Sequence, residues 1–166
     1  MIQMRSPRLA DAETIAKVHV KVWRDTYTGM IPTEILERKS IEDRQKEWTD
    51  FICSKPKGSY LLVVDIAGEV VGFCFYTTNP KDPIVGYDAE IVGINLLPEY
   101  QGLGLGRNCF EAVKAHLKVL GCKNFYLWVA TQNKRAIGFY EKLLGKRIPQ
   151  EKEKLGAKHI SYAWTL

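Results

Sequence analysis

The chain has 166 residues, 46% of them hydrophobic, enough to close one core without metal or disulfide staples. Lys and Arg outnumber Asp and Glu by 24 to 19, a net charge of +5 that suits an acidic ligand. The basic residues are interspersed with acids and no basic run alternates with aromatics, which argues against a nucleic-acid surface.

Cys53, Cys74, Cys109 and Cys122 form no C-x-x-C pair, and His19, His116 and His159 share no ligand spacing, so no metal is expected. Residues Met1 to Arg5 lack the apolar stretch of a signal peptide, and no segment reaches membrane-spanning length. A cytoplasmic protein without membrane contact is therefore expected. No linker or repeat divides the chain, so residues 1–166 read as one domain.

In chain order, a short apolar run from Ile2 to Arg5 precedes Ser6-Pro7 and Asp11, which reads as the cap of a helix running to about Tyr27. Ile15, Val18 and Val22 recur there at helical spacing, and His19, Trp23 and Tyr27 fall on an adjoining stripe. Gly29 and Pro32 break it. Ser40-Ile41-Glu42-Asp43 is a capping-box variant opening a second helix, which Lys55-Pro56-Lys57-Gly58 ends. Tyr60–Ile66 and Glu69–Tyr76 are strand runs joined by Ala67-Gly68, a hairpin signal. After the polar loop at Asn79 to Pro83 come a strand from Tyr87 to Leu97 and a helix from about Gly104 to Leu120. Then follow a strand from Asn124 to Ala130, a helix from Asn133 to Leu144 and two weaker strand patterns around Arg147 and Tyr162. This order indicates α/β with a mixed sheet.

Residues 91 to 107 read as a strand, a proline stop, a glycine turn and a helix start. Glycines at alternate positions let the backbone turn without Cβ clashes and aim successive N–H groups at one point. The helix N-terminus adds unpaired N–H groups and a positive dipole end, so the turn suits an anion. A Walker A loop needs Gly-Lys followed by Ser or Thr, whereas Gly106 is followed by Arg107-Asn108. A dinucleotide fingerprint needs glycine at position 107 and an acid about 20 residues on, and after Glu111 the next acid is Glu141. Both readings fail.

What remains, Gln101-x-x-Gly104-x-Gly106, resembles the acyl-CoA pyrophosphate loop of the general-control-related N-acetyltransferase superfamily, GNAT. Downstream, Asn133-Lys134-Arg135-Ala136-Ile137-Gly138-Phe139-Tyr140-Glu141-Lys142 resembles the second signature of that family, and the two stand in the family's order. The resemblance runs from Ile2 to about Gly145 and is weakest in the first two helices and the tail. It implies a GNAT fold: a mixed, mostly antiparallel central sheet of about seven strands flanked by about four helices.

It further implies acetyl-CoA as acyl donor, without a metal, and a primary amine of a small molecule or peptide as acceptor. Ile94, Asn95 and Leu96 would present backbone groups to the pantetheine arm. The amides of Gly102, Leu103, Gly104, Leu105, Gly106 and Arg107 would hold the pyrophosphate. The Arg107 side chain either adds charge there or is a solvated first-turn residue. Asn133 caps its helix and would also lie beside the pantetheine. Tyr140, two helical turns on, would protonate the leaving thiolate, its alternative being a core tyrosine.

A deprotonated amine must attack, so a base or water relay is needed. Glu90 lies where histone-type members carry a catalytic glutamate, and period 2 places it on the side of Val92, Ile94 and Leu96. Its alternative is a rim carboxylate. Other members place a base on the next strand, where this chain has Trp128. Aromatics spaced like Trp23 and Tyr27 ordinarily form core, but the resemblance makes them acceptor-pocket candidates. With no cysteine in a site-like context, direct attack in a ternary complex is expected. The rivals are a non-catalytic acyl-CoA sensor on the same fold and a nucleotide-binding switch protein. The oligomeric state is open and admits a homodimer; the identity of the amine is not legible.

Overall fold

The computed structural model describes residues 1–166. Its elements are β1 (Ile2–Arg5), α1 (Ala12–Tyr27), α2 (Thr33–Leu36), α3 (Ile41–Ser54), β2 (Ser59–Ile66), β3 (Glu69–Thr77), β4 (Glu90–Leu96), α4 (Leu105–Val119), β5 (Asn124–Ala130), α5 (Lys134–Lys142), β6 (Lys146–Lys154) and β7 (Ala157–Thr165). The strands form one seven-stranded sheet in the order β1-β2-β3-β4-β5-β7-β6. All neighbours run antiparallel except β4 and β5, which are parallel because α4 crosses between them.

Local chemistry explains most boundaries. Ser40 accepts from the Asp43 amide at 3.1 Å while Asp43 accepts from the Ser40 amide at 2.9 Å, the reciprocal bonding of a capping box. The β2–β3 turn places Ala67 and Gly68 at φ 54° and 95°, as the tight hairpin requires, and Asp65 holds the Gly68 amide at 2.7 Å. Leu155 and Gly156 repeat that conformation between β6 and β7.

Three expectations change. Asp11 makes no cap bond to α1; it accepts instead from the Arg8 amide and from the Arg5 guanidinium, which also pairs with Asp65. Strand β4 starts at Glu90, not Tyr87, because residues before it sit in a turn anchored by Asp88 and Asn124. The break at Gly29 and Pro32 conceals the one-turn helix α2, too short to show a period.

Alternation sorts the sheet into two faces. Val64, Cys74, Ile91, Leu127 and Trp164 pack against Phe110, Val113 and Leu117 of α4, forming the larger core. Leu61, Val63 and Phe73 pack on the opposite face under Ile15, Val18, Val22 and Trp48 from α1 and α3. Each such large side chain withdrawn from water contributes roughly 1.5–3 kcal/mol. With one helical layer fixed on each face, the sheet is interrupted between β4 and β5, whose pairing is the shortest in it. No helix is long and apolar enough to cross a membrane.

Candidate active site

The interruption starts from one extra residue. On β3, Phe75 faces Gly93 and Tyr76 faces Ile91, so Val92 is unpaired and forms a bulge. Beyond it β4 bends away from β5: the parallel pairing spans only Glu90 with Tyr126 and Ile91 with Leu127. Main-chain groups alternate sides along a strand, and the Leu97 amide donates to Val71 on β3. Those of Ile94 and Leu96 therefore turn to the open edge. Asn95 pairs towards Phe73 and carries its side chain into the cleft instead.

The glycine turn continues directly from this edge. Gln101 donates its side-chain amide to the Leu96 carbonyl at 2.7 Å, tying the turn to the end of β4. Gly102 and Gly104 have φ of 79° and 82°, and Gly104 is the N-cap residue of α4. Gly106 serves differently: a Cβ there would lie 3.1 Å from the Phe139 ring, so its role is close packing of α4 on α5. From Gly102 to Arg107 no backbone amide donates to a protein acceptor. This run of free N–H groups at a helix N-terminus has the donors and dipole end that suit an anion. The Arg107 side chain is exposed.

A cleft of about 590 Å³ opens at the splay, bounded by α1, α3, β3, β4, β5, α5 and the β6–β7 hairpin. Ile94, Asn95, Asn133 and Tyr140 line it, as do both acceptor candidates, Trp23 and Tyr27. Asn133 accepts from the Ala136 amide at 3.1 Å and so caps α5. Tyr140 is buried, yet its hydroxyl has no protein partner and is not sealed from solvent, so it opens to the cleft. Burial raises its pKa well above the ordinary tyrosine value, with Cys74, Tyr27 and Cys109 adding smaller pushes. The group keeps its proton.

Glu90 is on the other side from the one period 2 gives. The bulge at Val92 reverses the alternation, so Glu90 shares a face with Gly93 and Asn95, opposite Ile94 and Leu96. Its carboxylate accepts from the Tyr126 hydroxyl at 3.1 Å and is absent from the cleft lining, where Trp128 stands instead. Burial raises its pKa, while Tyr126, Lys152 and Lys154 pull it down.

Side chains remote in sequence complete the cleft. His19 accepts at Nδ1 from the Trp48 indole at 3.2 Å, and its pKa is lowered to about 4, chiefly by burial. His159 enters because β7 aligns it with Ala130 at the end of β5. The Trp128 indole N–H is buried without a partner, and the Lys152 ammonium lies 4.3 Å from the ring centroid. His19 shares the helical stripe of Trp23 and Tyr27, whereas no local spacing marks His159 or Trp128. The alternation of β7 is the one signal that could have placed His159, and it is faint in the sequence.

The family model for the acetyltransferase (GNAT) family matches residues 20–145. The uncharacterized N-acetyltransferase YuaI of Bacillus subtilis is 29% identical across 99% of this chain and 93% of its own length. A mycothiol acetyltransferase of Paenarthrobacter aurescens is 34% identical over 65% of this chain but only 32% of that protein. Among solved structures, the PaiA N-acetyltransferase of Thermoplasma acidophilum, in complex with coenzyme A, shares the fold with a TM-score of 0.77 at 21% identity, covering 99% of both chains. The yncA protein of Salmonella typhimurium, solved with acetyl-CoA, has a TM-score of 0.73 at 18% identity over 99% of this chain and 94% of its own. With a split parallel pair, a free-amide turn and a family match across most of its length, the chain belongs to the GNAT acetyltransferase family.

Proposed function

We propose that this protein transfers the acetyl group of acetyl-CoA to a primary amine by direct attack in a ternary complex. The observation that carries this reading is continuity: the open β4 edge at Ile94 and Tyr140 line one cleft, and the free amides of the glycine turn follow at the end of the same strand, tied to it by Gln101. The turn suits the pyrophosphate, the backbone groups of Leu96 and Ile94 along the open edge suit the pantetheine arm, and Asn133 stands beside it. The thioester then reaches the splay, where the amide of Ile94, which lines the cleft with Tyr140, polarises its carbonyl.

Attack by the amine forms the C–N bond, and collapse of the tetrahedral centre expels the CoA thiolate. Tyr140 gives that thiolate its proton, which needs a hydroxyl that is protonated and not spent on a protein partner. Glu90, behind the lining and bonded to Tyr126, serves through solvent as a sink for the proton that the ammonium form sheds before attack, not for the one released as the C–N bond forms. A non-catalytic acyl-CoA sensor would have no use for a free hydroxyl at this point. The test is thiol release from acetyl-CoA over an amine panel, with initial rates at varied concentrations of both substrates. Intersecting double-reciprocal lines support the ternary complex; parallel lines, or no release with any amine, overturn it.

A further inference from the structure

The two cleft histidines hold opposite tautomers. A carbonyl oxygen only accepts, so His159 Nδ1, 2.9 Å from the Ala157 carbonyl, carries a proton, and the neutral ring keeps a lone pair on Nε2. That nitrogen has no protein partner and is not sealed from solvent, although the residue is only 5% exposed. An indole N–H only donates, so His19 Nδ1 is bare and its Nε2 carries the proton. One wall of the cleft thus offers a lone pair and the other a donor.

The charges lining the cleft are equally selective. Glu47 is spent on Lys39 and on Arg44, the latter at 2.9 Å, while Lys154 makes no ion pair. No free carboxylate lines a cleft otherwise walled by rings such as Trp48, Phe75 and Trp128. A ligand with several ammonium groups would find no counter-charge for those beyond the reacting one, and desolvating them unpaired is costly.

We propose that the acceptor is a monoamine with an apolar or aromatic body and a carboxylate or carbonyl oxygen beside the amine, and that His159 Nε2 receives the amine's proton. This rests on the transfer reaction proposed above. The N–H bond breaks towards His159 as the nitrogen pair forms the C–N bond, and the departing thiolate takes the Tyr140 proton. The oxygen beside the amine meets His19 Nε2–H or the Lys154 ammonium. Burial holds the His159 pKa below the ordinary histidine value; Lys154 and Lys152 push the same way, and the Ala157 bond and Glu153 oppose. The ring is therefore neutral and able to accept at neutral pH.

The panel to run is L-phenylalanine, phenethylamine and spermidine, read by thiol release and, in parallel, by calorimetry on the CoA-loaded protein. Phenylalanine is expected to exceed spermidine by about tenfold or more in both kcat/KM and affinity. Lys154→Gln is expected to erase the advantage of phenylalanine over phenethylamine. His159→Asn keeps a donor for the Ala157 carbonyl but has no Nε2, and should lower kcat about 100-fold with Tm unchanged. Imidazole added to His159→Ala should restore turnover in proportion to its neutral fraction. Spermidine used or bound as well as phenylalanine overturns the acceptor class. Turnover of His159→Asn within about threefold of wild type overturns the proton role, as does an Nε2–H tautomer seen by ¹⁵N NMR. If no amine is turned over, the transferase reading and the proton role fall together, while calorimetry still decides the ligand class and NMR the tautomer.

Discussion

The two halves of the cleft are built from different materials. The donor half is backbone: a bulge at Val92, an open strand edge at Ile94 and Leu96, and free amides from Gly102 to Arg107. The acceptor half is side chains brought from α1, α3, β5 and β7, and its chemistry depends on which ring nitrogen holds a proton. A backbone site binds what every family member shares and tolerates change in most side chains. A side-chain site is free to vary, and there selectivity resides.

The largest effect should fall where the halves meet. Tyr140→Phe removes only an oxygen, so acetyl-CoA affinity by calorimetry should stay within about threefold, whereas kcat should drop by about 100-fold or more. Unchanged turnover would show that Tyr140 is not the acid. Next comes an acid sensitivity that the acceptor half contributes. Burial lowers the His19 pKa from 6.5 to about 4, so below pH 6.5 the unfolded chain takes up a proton that the folded one refuses. Stability from this group is complete above pH 6.5 and is lost as pH falls towards 4, by about 2 kcal/mol between pH 7 and pH 4.5. His19→Asn keeps an acceptor for Trp48 and cannot titrate. Urea denaturation at the two pH values should show the smaller loss in the variant; equal losses would mean that His19 is not held neutral by burial.

The same division governs what the sequence discloses. The glycine turn was legible because positive φ at Gly102 and Gly104 is a local demand that only a few residue types meet. Asn133 and Tyr140 were legible because a cap and a residue two turns on stand in one short helix. The side of β4 occupied by Glu90 was not, since one unpaired residue at Val92 reverses the alternation and nothing local in Ile91-Val92-Gly93 announces it. His159 and Trp128 acquire their surroundings from strand pairings that close a long loop, which no short window contains. Trp23 and Tyr27 lie between these cases: helical spacing gives their stripe, but only the packing of α1 over the splay turns it to the cleft.

Two smaller effects separate conformation from contact inside the donor half. In Gly104→Ala the added Cβ meets nothing within 4 Å, so its whole cost is the left-handed backbone at φ 82°, roughly 1–2 kcal/mol. Acetyl-CoA affinity should weaken by about tenfold if the free amides form the pyrophosphate site, with amine KM unmoved. Gln101→Ala leaves φ and ψ untouched and removes one hydrogen bond, that to the Leu96 carbonyl at 2.7 Å. Such a bond is worth about 1 kcal/mol, so affinity should fall only about fivefold. Because Leu96 lies two residues from Ile94, whose amide is proposed to polarise the thioester, kcat should fall with it. A loss confined to affinity would mean that Gln101 positions the turn alone and that the end of β4 holds its shape without it.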